Sequence, residues 1–187
     1  MKLKLNLTAL SALMLCITMN FAMAQKGKIV NVGGAAMYPS KNIIENAMNS
    51  KDHTTLVAAV KAAGLVETLQ GTGPFTVFAP TNDAFNALPA GTVETLLKPE
   101  NKAILSGILT YHVVAGKLDS KAIMKKIKEG KGKAEFATVA GGKIWASMDG
   151  NTLKIWDEKN ASAQVTIKDV YQSNGVIHVI DKVIMAK

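Results

Sequence analysis

The sequence predicts an α+β fold, and three observations carry that expectation. Between residues 40 and 129, apolar residues recur at helical spacing. From residue 135 the period changes to two, and the segments are punctuated by Gly141-Gly142, Asp149-Gly150, Lys159-Asn160 and Asn174-Gly175. A helical half followed by a strand-rich half implies segregated layers rather than alternating β and α units. One strand breaks the segregation: residues 75–79, entered through Gly73-Pro74, are expected to join the later sheet.

The chain opens with an export signal. Lys2 and Lys4 precede a mostly apolar run over residues 5–17, and Ala22-Met23-Ala24 places small residues at both specificity positions of a cleavage site. The run is shorter than the ~20 apolar residues a bilayer span needs. The expected division is therefore a signal peptide over residues 1–24, an N-terminal arm over 25–39 and a domain over 40–187. The Gly-rich, aperiodic stretch 26–39 reads as a short tether.

Within the domain, Ser40 is the expected N-cap of a first helix, whose stripe is Ile43, Ile44, Ala47 and Met48. A second helix starts near Asp52, buries Leu56, Val57, Val60 and Ala63, and closes at Gly64. Residues 65–70 add a turn. After the 75–79 strand, Thr81, Asn82 and Asp83 open a short helix carrying Ala84 and Phe85. Helices follow over 92–97, 102–111 and 120–129, the last rich in lysine and ended by Gly130. Val113-Val114 is extended. Strands are expected over 135–139, 143–148, 152–157, 164–170 and 176–184.

Cys16 is the only cysteine and leaves with the signal, so no disulfide or thiolate chemistry remains. All 22 basic residues are lysine. The net charge of +8 becomes +6 once Lys2 and Lys4 are removed. Nucleic acid is an unsuitable partner for such a surface. Arginine, the residue of bidentate base contacts, is missing, and 5% aromatic residues cannot build a stacking platform. A lysine coat suits solubility or weak contact with anionic surfaces. Its densest part is Lys117, Lys121, Lys125, Lys126, Lys128, Lys131 and Lys133. Asn160-Ala161-Ser162 fits an N-glycosylation sequon.

Three segments resemble the fasciclin domain family: residues 73–85 (GPFTVFAPTNDAF), the Tyr-His box 109–114 (LTYHVV) and residues 174–184 (NGVIHVIDKVI). The likeness covers about residues 40–186. It implies a β-sandwich or wedge of two sheets flanked by a group of helices. It also implies an extracellular interaction or adhesion module without enzymatic activity or cofactor. The expected partner is an envelope or extracellular protein or polysaccharide, and the sequence leaves the oligomeric state open, with a monomer as the expectation. The family-motif residues are Thr81, Asn82, Asp83, Tyr111, His112, Asn174, Gly175, His178 and Asp181. They are expected to serve structure more than chemistry.

His112 follows a helix and precedes Val113-Val114. It is expected to be a buried imidazole, with Thr81, Asn82 and Asp83 as candidate partners. His178 reads as a packed mid-strand histidine sharing a face with Val176 and Ile180. His53, beside Asp52, reads as exposed. The three histidines lack metal-type spacing, and no nucleophile elbow or phosphate-cradling loop is present.

The candidate interaction surface is an aromatic–lysine strip. A two-residue turn at Asp149-Gly150 places Trp145 across from Lys154 and Lys143 across from Trp156. A turn at Gly150-Asn151 instead places Trp145 across from Trp156. In both registers the two tryptophans share one face of a hairpin. That face either packs beneath the lysine-rich helix or another loop, or lies open to a partner. The alternative function is a small-ligand or carbohydrate-binding protein, which requires a concave pocket with converging polar groups.

Overall fold

The computed structural model describes residues 27–187. The expected signal peptide and cleavage site lie outside them. The chain begins with a hairpin of β1 (Val30–Val32) and β2 (Ala35–Met37). This corrects the expected tether: Val32 and Met37 are both buried in the core. Two glycines at positive φ, Gly33 and Gly34, form a turn too short for a periodic signal to develop on either side.

Helix α1 (Ile43–Ala47) starts at Asn42, not Ser40. Asn42 and Glu45 form a reciprocal capping box, which satisfies two backbone donors at once. A 3-10 turn at Lys51–His53 leads into α2 (Thr54–Ala63), which ends at Gly64 in the left-handed conformation. Then come α3 (Val66–Gln70), β3 (Phe75–Pro80), α4 (Asn82–Asn86), α5 (Thr92–Leu96), α6 (Lys102–Tyr111), β4 (Val113–Ala115) and α7 (Ser120–Glu129). The remaining chain is β5 (Lys133–Ala137), β6 (Lys143–Asp149), β7 (Thr152–Trp156), β8 (Ser162–Gln172) and β9 (Gly175–Ile180).

Seven strands form one mixed order, β4-β3-β9-β8-β7-β6-β5. Its two halves are joined through β8. Ser162 to Gln164 pair with β7, whereas Val165 to Gln172 pair with β9 across two register irregularities. Such bulges bend a strand and increase its twist. The bend carries β5 back towards β4, where Val114 and Thr138 form a bridge. The wedge is thus a folded sheet.

β3 joins the later sheet as expected, running parallel to β9 from Phe75↔Gly175 to Pro80↔Ile180. Both strands are buried on both faces, as parallel strands commonly are. Val77, Ala79, Ile177 and Val179 face a core shared with α1, α2, α3 and α6. Phe78 and Ile180 face a second core inside the wedge, with Ile123, Ile127, Phe136, Ile144 and Ile155.

The strand expected over 176–184 ends at Ile180. Beyond it, Asp181 N still donates to Gln164 O, and the later donors find side-chain acceptors in place of a ladder. Ile184 donates to His112, Met185 to Asp157 and Lys187 to Glu158. Ile184 still lies 1% exposed in the wedge core. The apolar alternation marked burial correctly but not pairing.

Candidate functional site

The outer face of β5–β7 carries the aromatic strip. The observed register is Trp145↔Trp156, Ala146↔Ile155 and Ser147↔Lys154, so the turn is the Gly150-Asn151 alternative. This corrects the pairings drawn from Asp149-Gly150. Lys154 lies across from Ser147 and forms an ion pair with Asp149 instead. Asp149 and Thr152 oppose each other as the last ladder pair, which uses Asp149 as strand. Alternate residues Ile144, Ala146, Leu153 and Ile155 point into the wedge core.

Both tryptophans are half-buried, and both indole N–H groups are engaged. Trp145 Nε1 donates to Glu135 Oε2 at 3.1 Å, and Trp156 Nε1 donates to Ser147 Oγ at 2.8 Å. Lys143 pairs with Glu135 at 2.9 Å rather than with an indole face. Its hydrogen bond holds the Glu135 carboxyl below, and the Lys143 ammonium above, their ordinary ranges. The cation over the Trp145 ring is Lys133, 4.9 Å from the centroid. Sequence reasoning puts Ser147 on this face and Lys133 in the lysine coat, but does not single out Glu135 or bring Lys133 to Trp145. The Lys-x-Glu alternation of β5 marks those two once the β5–β6 pairing is known.

The lysine-rich α7 does not cover this face. It buries Ile123 and Ile127 in the wedge core, against the opposite side of β5 and β6. Its Lys121, Lys125, Lys126 and Lys128 are exposed.

The family-motif residues occupy joints between elements. Thr81 caps α4 by accepting from Ala84 N, and Asp83 is exposed in its first turn. Asn82 accepts from Thr55 N at 3.0 Å and donates to Lys51 O at 2.8 Å, clasping the start of α2. Asn174 accepts from Ile43 N and donates to Leu69 O and Gly71 O, joining α1 and α3 to the β8–β9 turn. A Cβ on Gly175 would overlap the carbonyl of Phe75, so the close β3–β9 approach requires glycine there. Asp181 accepts from Gln164 N at 2.7 Å. Tyr111 is wholly buried. Its hydroxyl donates to Lys143 O at 2.6 Å and accepts from Glu158 N, and burial pushes its pKa up to about 12.

His112 does not bond to residues 81–83. Its Nδ1 lies 2.8 Å from Ile108 O and its Nε2 accepts from Ile184 N at 3.1 Å. A carbonyl on one side and an N–H on the other select the neutral ring protonated on Nδ1. Burial depresses its pKa to about 4. His178 takes the other tautomer, with Nε2 on Leu118 O and Nδ1 accepting from Asp169 N. It stacks on Phe78 at 5.7 Å. Asp169 then binds Ser120 N and Oγ at the start of α7.

His53 corrects the expectation of exposure: it is 2% exposed. The 3-10 turn ahead of α2 rotates it inward, where Ser50 Oγ lies 2.9 Å from Nδ1. It borders an internal cavity of about 40 Å³ between the helices and the sheet, whose walls are otherwise mainly apolar. No converging set of polar groups lines it. Among the described residues, no three His, Cys, Asp or Glu side chains gather as metal ligands would.

Residues 51–186 match the fasciclin domain family. Protein sll1483 of Synechocystis is 50% identical over 156 residues, covering 82% of this chain and 78% of that protein. Immunogenic protein MPB70 of Mycobacterium bovis is 36% identical over 144 residues, covering 74% of this chain and 66% of MPB70. Human periostin is 34% identical over 134 residues, which is 72% of this chain but 14% of periostin. Among solved structures, a FAS1 domain pair from the insect cell adhesion molecule fasciclin I matches with a TM-score of 0.70 at 19% identity. The match covers 79% of this chain and 52% of that one. With the mixed sheet, the flanking helices and the three motifs in place, these likenesses establish that the chain belongs to the fasciclin domain family.

Proposed function

We propose that this protein is an exported, non-enzymatic interaction module. It acts outside the cytoplasm and presents the outer face of β5–β7 to an envelope or matrix polysaccharide or protein. The observation that carries the reading is the direct pairing of Trp145 with Trp156 on a face that α7 leaves uncovered. Two adjacent indoles held by Glu135 and Ser147 form a fixed aromatic platform, and Lys133 and Lys143 supply charge at its edge. Aromatic anchors of this kind dominate binding energy at interaction surfaces. The motif residues support the same reading, because their polar atoms are spent on joints within the domain. The cavity offers too few polar groups to orient a carbohydrate.

The test is retention of the mature protein on immobilised envelope polysaccharide and on immobilised envelope protein. The double variant Trp145→Ala, Trp156→Ala should lose retention at least about tenfold, as truncating two hot-spot aromatics does. Its far-ultraviolet dichroism should stay unchanged. Equal retention of a folded double variant refutes the reading.

A further inference from the structure

The positive charge of the domain is concentrated in one segment. Residues 117–133 hold seven lysines against two carboxylates, Asp119 and Glu129. The rest of the expected mature chain, residues 25–116 and 134–187, holds thirteen lysines against twelve carboxylates. Five of the six surplus charges therefore lie on α7 and its flanks. On α7, Lys121, Lys125 and Lys128 are exposed on the side opposite the buried Ile123 and Ile127. They span about 10 Å of the helix axis, at about 1.5 Å per residue.

Helix stability does not account for this row. Like charges three and four positions apart repel one another. The helix dipole favours Lys126 and Lys128 in the last turn but disfavours Lys121 in the first. Among the described residues, only Lys125 of the seven has a carboxylate within 4.0 Å. That contact, to Glu129 at 3.9 Å, is exposed and runs in the less favourable order, lysine before glutamate. Beyond the helix, Lys131 holds a left-handed backbone (φ 55°) between Gly130 and Gly132, a conformation that favours glycine or asparagine.

We propose that the exposed face of α7 and the turn into β5 bind an acidic polysaccharide through Lys121, Lys125, Lys128 and Lys131. An ammonium group is a point charge on a flexible stem. A row of them suits a chain polymer with repeated carboxylates and imposes no fixed orientation on each one. The lysines also do not share a plane. α7 lies on the side of β5 and β6 opposite the tryptophans, whereas Lys133 sits over the Trp145 ring on the tryptophan side. Lys131 lies in the turn between them. A polymer follows that path, and a flat bilayer touches only one side of it. Among the described residues, the exposed large apolar side chains all lie outside residues 117–133, so the segment offers a bilayer nothing to insert. The site uses neither Trp145 nor Trp156 and does not depend on the role of their face.

Alginate, a linear polyuronate, and dextran, an uncharged polysaccharide, test the proposal. The mature protein should be retained on immobilised alginate and not on dextran, and added salt should weaken retention. Free alginate should compete for the protein better than equimolar phosphatidylglycerol–phosphatidylcholine vesicles presenting the same anionic charge. The triple variant Lys121→Gln, Lys125→Gln, Lys128→Gln should lose affinity about tenfold or more, the sum of three exposed ion pairs. Lys61→Gln, Lys98→Gln, Lys159→Gln removes the same charge from exposed positions elsewhere and should lose about threefold or less. Alginate titrated into the wild type should shift backbone ¹H–¹⁵N resonances centred on residues 121–131. No retention on alginate, equal losses in the two triple variants, shifts centred elsewhere, or better competition by the vesicles overturns the proposal.

Discussion

His112 and Ile184 are 72 positions apart and share one hydrogen bond, from the Ile184 backbone N–H to the His112 ring at 3.1 Å. The same ring is held by Ile108 O at 2.8 Å. One neutral imidazole therefore links the end of α6 to the C-terminal segment. His112→Phe keeps the ring volume and strands the Ile184 donor. Urea denaturation should show a loss of about 1–3 kcal/mol, the cost of a buried group without a partner. Retention on the partner, measured per folded molecule, should be unchanged. A variant of wild-type stability that no longer binds would make His112 a site residue.

Acid should destabilise the protein earlier than carboxylate titration alone would. His53, His112 and His178 are all buried, and burial lowers all three pKa values, that of His112 to about 4. Between the folded values and the ordinary 6.5, the unfolded chain binds more protons than the folded one. Stability is then full above about pH 7, falls as pH drops through 6.5, and flattens below about 4 for the His112 share. That share is on the order of 3 kcal/mol. Urea midpoints measured from about pH 7 to about pH 4 should trace this fall, with a shallower slope in His112→Phe. A flat profile across that window contradicts the neutral buried assignment.

Gly175→Ala should be among the more damaging single-carbon changes available. The added methyl meets the Phe75 carbonyl, a backbone atom of the neighbouring β3 that cannot rotate away. The expected loss is about 1–3 kcal/mol, the usual range for overpacking. Gly107→Ala is the control, because nothing lies within 4 Å of a Cβ there. Thermal melts of the two variants should separate clearly. Similar melting temperatures would mean that β3 and β9 can move apart at no cost.

Export processing should remove residues 1–24 and leave Gln25 as the first residue, because Ala22 and Ala24 fit the specificity positions of a signal cleavage site. N-terminal sequencing of protein recovered from the periplasm or medium checks this. An intact Met1 in the membrane fraction refutes it.

Most helices were legible because their signals are local. α6 and α7 begin and end where apolar spacing and Gly130 placed them, and Gly64 closes α2. Failures came where a competing local motif or a distant group overrode the simplest local rule. Ser40 looked like a cap, but Asn42 could form the reciprocal pair with Glu45. Residues 181–184 alternate like a strand, but the ladder stops at Ile180, and the Ile184 and Met185 donors are taken by the side chains of His112 and Asp157 from elsewhere in the fold. His53 sat beside a charged residue in sequence, and a 3-10 turn aimed it inward.

The sequence by itself determined the α+β class, the family motifs and the sharing of one hairpin face by Trp145 and Trp156. The motifs are legible as local strings that resemble the family, and the rest follows from a period of two or 3.6, which neighbouring residues impose on one another. Tertiary structure alone decided which register that hairpin takes, which lysine sits over Trp145, and that α7 packs on the opposite side of the sheet from the tryptophans. It also decided where the histidine protons reside. These depend on what lies across a strand or beyond a turn. A one-residue change in turn position shifts every partner in the ladder while leaving the alternation along the strand the same.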